Sequence, residues 1–129
     1  MKIDHDLPLE ISRIAQEEGC CTMILISSMG ANSKSNIFYS RVKGLLEESL
    51  EEIGFEEFHI LRPSLLLGKK TETRPHEYIS KLIMDHLSLL IPEKYKPIHA
   101  SIIAKTIKYL IKEKKSGKHI WEGRKLFNI

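Results

Sequence analysis

Met23-Ile24-Leu25-Ile26-Ser27-Ser28-Met29-Gly30-Ala31-Asn32 is an apolar run that stops abruptly in small and polar residues. Four apolar residues in succession suit a strand buried on both faces, as in a parallel sheet. Helical spacing flanks this run. Before it, Leu7, Ile11, Ile14 and Ala15 predict a helix from about Leu7 to Glu18, with Asp6 before Pro8 as a start and Gly19 as a stop. After it, Phe38, Val42, Leu45, Leu46, Leu50 and Ile53 predict a second helix that begins near Asn36 and closes at Gly54. Glu47, Glu48, Glu51 and Glu52 form its expected wet face, preferred over a metal or acid/base site because no His stands at ligand spacing.

Further out, Phe58-His59-Ile60-Leu61-Arg62 reads as another strand, halted by Pro63. The loop Pro63–Gly68 is apolar in its middle, and Pro75 opens a third predicted helix with Tyr78, Ile79, Leu82, Ile83 and Leu87 on its stripe. A fourth helix is expected from near Ser101, burying Ile103, Ala104, Ile107, Leu110 and Ile111. A short strand around His119-Ile120-Trp121 and an extended tail to Ile129 complete the chain. Helices alternating with buried strands imply an α/β fold, a parallel sheet with crossover helices, in a single domain over residues 1–129.

With 42% hydrophobic and 29% charged residues and a net charge of +3, the balance is that of an ordinary soluble domain. No apolar run is long enough to cross a bilayer. Asp4 and Asp6 stand where a secretory signal needs an apolar stretch, so a cytoplasmic setting is the default. Lys112, Lys114, Lys115 and Lys118 make the one basic cluster, read as a solvated helix end before a turn at Gly117 in preference to a nucleic-acid site. Cys20 and Cys21 are adjacent, without metal spacing, and are expected to enter the strand as small apolar residues. The six histidines are scattered, with no helical metal pair. His99 is expected to cap or pack in preference to touching a substrate, and Trp121 to belong to the core in preference to serving as a stacking platform.

Ligands of open parallel sheets bind beyond the carboxyl ends of the strands, which is where Ser27–Ser35 lies. Tyr39 and Lys43 follow, four apart and therefore on one helix face. A phenol titrates near pH 10, too high for efficient proton exchange, and a nearby ammonium favours phenolate. Ser27 or Ser28 could hydrogen-bond a carbonyl or hydroxyl of a substrate while a nicotinamide delivers hydride. By spacing alone the pair also fits a packed Tyr39 beside a wet Lys43.

Ile26–Asn32, Tyr39-Ser40-Arg41-Val42-Lys43-Gly44 and Arg62-Pro63-Ser64-Leu65-Leu66-Leu67-Gly68 together resemble the active-site region of extended or atypical short-chain dehydrogenases. Within that family they are most similar to the group containing the Tat-interacting oxidoreductase. The resemblance implies a Rossmann-type fold and NADP or NAD as cofactor. It implies Tyr39 as acid/base, Lys43 as its electrostatic helper on the nicotinamide ribose, and Ser27 or Ser28 as the catalytic hydroxyl. Arg62, Pro63 and Ser64 would lie beside the nicotinamide. The family's Gly-rich turn has no counterpart here, so a partial fold is expected, with the N-terminal βαβαβ half absent. The expected function is that of a truncated oxidoreductase-like protein with impaired cofactor binding, or alternatively a non-enzymatic interaction module using the exposed sheet edge. Without its missing neighbour the strand Thr22–Ile26 becomes an edge, which predicts self-association or a complementing N-terminal fragment as partner.

Overall fold

Glu57–Arg62, strand β2, reads Glu-Phe-His-Ile-Leu-Arg, and its apolar side chains divide by parity between two layers. Phe58 and Ile60 pack with Leu46 and Leu50, while Leu61 packs with Ile98, Ile103, Leu110 and Leu126. A strand covered on both faces must show this period of two. Strand β1 is Thr22–Ile26 and strand β5 is Gly117–Glu122. In the computed structural model, which describes residues 2–64, 66–67 and 98–127, these form a parallel sheet in the order β1-β2-β5. Thr22 pairs with Glu57 and Ile26 with Leu61; on the other side Glu57 pairs with Gly117 and Arg62 with Glu122.

Parallel neighbours require a crossover connection. Helix α2, Phe38–Ile53, makes the first one and covers the Phe58–Ile60 face. Helix α3, Ala100–Glu113, covers the Leu61 face. Helix α1, Leu7–Glu17, follows a π-helical turn at Lys2–Asp6 and packs against α2, with Leu9 joining the Leu46–Leu50 cluster. Two-residue strands β3, Leu66–Leu67, and β4, Ile98–His99, pair in parallel, and a short helix α4 spans Arg124–Phe127. The chain is thus α/β, a parallel sheet layered by helices on both faces, in keeping with a partial Rossmann-like fold.

Several expectations need correction. Strand β1 is half-buried rather than enclosed, and Ile26 is exposed, because among the described residues β1 pairs only with β2. Glu47 is buried instead of wet, and Phe38 at the start of α2 is exposed. In α3 the buried positions are Ile103, Thr106 and Leu110, whereas Ala104 and Ile111 face outward. Thr106 tolerates burial because its hydroxyl donates to the Ile102 carbonyl at 2.9 Å. Cys20 and Cys21 are exposed at the turn before β1, and Arg124–Phe127 is helical where an extended tail was expected. His99 occupies the N-cap position of α3 without a side-chain cap. The helix expected after Pro75 lies outside the described residues, as do His76 and His86.

A polar network ties the three strands together. Trp121 Nε1 donates to His59 Nδ1 at 3.0 Å. The indole can only donate, so His59 Nε2 carries the hydrogen and donates to Glu57 Oε1 at 2.7 Å. Glu57 Oε1 also accepts the Lys115 backbone N–H at 3.0 Å, and Oε2 faces the Thr22 hydroxyl at 3.4 Å. His59 is fully buried, so each of these bonds satisfies a group that would otherwise carry a desolvation penalty.

Burial alone would raise the Glu57 carboxyl, but the hydrogen bonds from His59 and from the Lys115 N–H together hold it below its ordinary value of 4.5. A depressed carboxyl stabilises the fold above its unfolded pKa, and that contribution is lost as pH falls through the folded value. Stability should therefore decline below the ordinary carboxylate range. Chemical denaturation at stepped pH should show this acid limb flattened in Glu57→Gln.

Candidate functional site

The loop after β1 is held at the carboxyl edge of the sheet by main-chain bonds. Ser27 N–H donates to the Leu61 carbonyl at 2.7 Å and Met29 N–H to the Pro63 carbonyl at 3.1 Å. Asn32 N–H donates to the Ser40 carbonyl at 3.0 Å, which joins the loop to the first turns of α2. Asn32 also folds the loop on itself, its Oδ1 accepting the Lys34 N–H at 2.9 Å. Opposite Asn32 and Ser33 stands Gly44. A Cβ built on Gly44 would lie 2.2 Å from Ser33 N and 2.4 Å from the Asn32 carbonyl carbon, so only glycine allows this approach.

Ser27 is buried and Ser28 half-buried, and neither hydroxyl has a hydrogen-bond partner. Native proteins leave few buried polar groups unpaired, and such orphans are commonly filled by a ligand, water or ion. Tyr39 and Lys43 lie on the same face of α2, as their spacing predicts. Lys43 Nζ is 5.7 Å from the centroid of the Tyr39 ring, within cation–π reach. Tyr39 is 60% exposed, open to a ligand approaching from solvent. The Asn32–Ser40 bond and the Gly44 contact bind the serine loop to the helix that carries this pair.

Arg62, Pro63 and Ser64 continue β2 at the same edge. The Arg62 guanidinium is held by Glu47, with Nε donating to Oε1 at 3.0 Å and a second nitrogen to Oε2, and Glu122 lies 3.6 Å away. Those Glu47 hydrogen bonds, outweighing desolvation, push Arg62 above its ordinary value and keep it charged. Pro63 is buried, its carbonyl accepting from Met29. Ser64 is half-buried next to it.

Sequence reasoning missed Glu47, Gly44 and His59. Glu47 falls between Leu46 and Leu50 on the apolar stripe, a signal that this acid faces inward toward a cation. The histidines expected to be scattered include His59 and His119, whose rings stack at 5.2 Å between centroids across β2 and β5. Among the described residues no group of three His, Cys, Asp or Glu could hold a metal ion.

No protein-family model matches the chain. Curated relatives do. The chain is 46% identical over 80 residues to the mitochondrial protein fmp52 of Emericella nidulans, covering 62% of this chain and 34% of the relative. It is 42% identical over 73 residues to the mitochondrial protein FMP52 of Saccharomyces cerevisiae, covering 57% and 32%. The FMP52 of Candida glabrata is 45% identical over 71 residues, covering 55% and 30%. The chain thus spans about a third of the length of the curated relatives it matches.

These relatives correct the expected identity. They are named as Fmp52 proteins, not as short-chain dehydrogenases or members of the Tat-interacting oxidoreductase group. The truncated oxidoreductase function falls with that assignment, and the alternative of an interaction module finds no support in them. Short motifs report a local geometry that many α/β proteins share, which is why they overreached. The relatives are also named mitochondrial, which overturns the cytoplasmic expectation. That expectation tested only for an apolar secretory signal, and mitochondrial targeting uses amphipathic basic segments instead.

Gly44 gives a test of the loop's placement. In an ordinary exposed helix, Gly→Ala stabilises by roughly 0.5–1 kcal/mol. Here the sign should reverse. Gly44→Ala should cost about 1–3 kcal/mol in thermal or urea unfolding, because the loop backbone has to move.

Proposed function

We propose that the carboxyl end of β1 is a ligand site of a mitochondrial protein, and that its ligand is the nicotinamide portion of NADP or NAD. The carrying observation is the pair of buried serine hydroxyls without partners, Ser27 and Ser28, beside the α2 turns that present Tyr39 and Lys43. Two hydroxyls, a phenol and an ammonium suit a ligand that carries a carboxamide and ribose hydroxyls. Ser27 and Ser28 would hydrogen-bond the carboxamide or a neighbouring carbonyl, and Lys43 would take the ribose hydroxyls. The Arg62 guanidinium, fixed by Glu47, would border the site with Pro63 and Ser64. The proposal concerns binding, not turnover. The mitochondrial setting rests on the names of the relatives.

Titration with NADPH, followed by nucleotide fluorescence, should saturate, and Lys43→Ala should weaken binding about tenfold, the loss expected for one charge-assisted contact. No binding at millimolar nucleotide would end the proposal. Stability gives a second readout. Removing an orphaned hydroxyl relieves a desolvation penalty, so Ser27→Ala should leave the ligand-free melting point unchanged or raise it while weakening NADPH. A destabilised Ser27→Ala with undiminished NADPH affinity would instead make the serine structural.

The edge of β1, which has no further strand partner among the described residues, and the exposed face of α1 support a separate proposal about assembly. Leu7, Ile11 and Ile14, with Ile3 before them, are at least half exposed and lie at helical spacing. Exposed apolar side chains and an open strand edge each favour association. We propose that the chain self-associates or pairs with a complementing fragment. Sedimentation across a wide concentration range should show a rising mass that Ile11→Lys and Ile14→Lys suppress, and a concentration-independent monomer would refute it.

A further inference from the structure

We infer that the edge of β5 away from β2 carries a second ligand site, separate from the serine loop, that takes a phosphorylated aromatic ligand of the mononucleotide class. A cleft of about 510 Å3 wraps this edge, lined by Lys115, Lys118, His119, Trp121 and Lys125 together with Ile120. Three ammonium groups, an indole and an imidazole therefore border one space, and none of its lining residues is acidic.

The aromatic part is fixed before any ligand arrives. Trp121 is oriented by its hydrogen bond to the buried His59, and His119 stacks on that same imidazole at 5.2 Å. Lys115 Nζ lies 5.6 Å from the Trp121 ring centroid, and the Lys115 backbone is anchored through its N–H to Glu57. Little ordering is then left for the binding step, which favours affinity. Lys115 Nζ lies over the indole, so a base stacking on that face would displace the ammonium toward its phosphate.

The charges are available to a ligand. Lys118 Nζ bonds Glu51 Oε2 at 2.8 Å, but both side chains are exposed, at 40% and 50%, and exposed pairs of this kind are weak. Among the described residues β5 pairs only with β2, so its outward backbone N–H groups are further donors. A nucleic-acid strand calls for aromatic platforms repeated along a groove. This cleft offers its rings at one point, which fits a single base.

Trp121 is the chain's only tryptophan, so its fluorescence reports the cleft directly. Titration with ADP at low salt should change that fluorescence saturably, with adenosine alone and pyrophosphate alone each binding more weakly. The double variant Lys115→Ala/Lys118→Ala should lose about tenfold in ADP affinity, with its melting point as the folding control. Lys105→Ala, an exposed lysine of α3 away from the cleft, should lose nothing. No saturable change at about 10 mM ADP, pyrophosphate binding as tightly as ADP, or undiminished ADP binding by the double variant would each overturn the inference. The signal here is Trp121 and the affinity loss is read at Lys115 and Lys118, whereas the NADPH titration reads nucleotide fluorescence and the loss at Lys43, so the two outcomes are distinguishable.

Discussion

Strand β2 must satisfy its backbone on both edges and bury side chains on both faces, and the rest of the fold is arranged around that requirement. It is the one strand of the described sheet with a neighbour on each side. Its residues Glu57–Leu61 are all buried, although two of the five are polar. A glutamate and a histidine can occupy such a strand only if every donor and acceptor finds a partner. Trp121 from β5, the Lys115 backbone and Thr22 from β1 supply them. The polar network thus fixes which residues of β1 and β5 lie opposite β2, and the apolar residues of the other parity seal the opposite face against α2.

A second constraint acts at the carboxyl edge. The loop after β1 and helix α2 approach more closely than any side chain permits, and Gly44 is the residue that allows it. Once the loop rests there, the two serine hydroxyls turn inward without partners, next to the turns that carry Tyr39 and Lys43. Packing therefore buries both hydroxyls at the site. Glu47, one turn beyond Lys43, fixes Arg62 at the same edge, so one helix organises both sides of it. The β5 edge is organised differently, through rings seated on the central histidine.

The motifs from Ile26 to Arg62 predicted local geometry well and family identity poorly. The run Met23–Ile26, the abrupt serines, the Tyr39–Lys43 spacing and the strand before Pro63 each describe how a βαβ unit turns at its carboxyl edge, and the sheet has that form. The same physical demands recur in α/β proteins of unrelated function. The relatives carry a different name and a mitochondrial setting, which neither composition nor spacing had indicated.

By itself the sequence determined the fold class, the three strands of the main sheet with helices α1, α2 and α3 around them, and the pairing of Tyr39 with Lys43 on one helix face; it did not show the short strands β3 and β4 or the terminal helix α4. The features it determined follow from periodicity, which is local and can be read along a chain. Only the tertiary structure decided that Glu47 is buried on Arg62, that His59 meets His119 and Trp121, and that Ile111 and Phe38 are exposed. Each of these depends on partners 15 or more residues away, or on which side of a stripe a neighbouring layer covers. Periodicity shows that a helix has an apolar face. It does not show where that face ends, because the edge is drawn by the element packed against it.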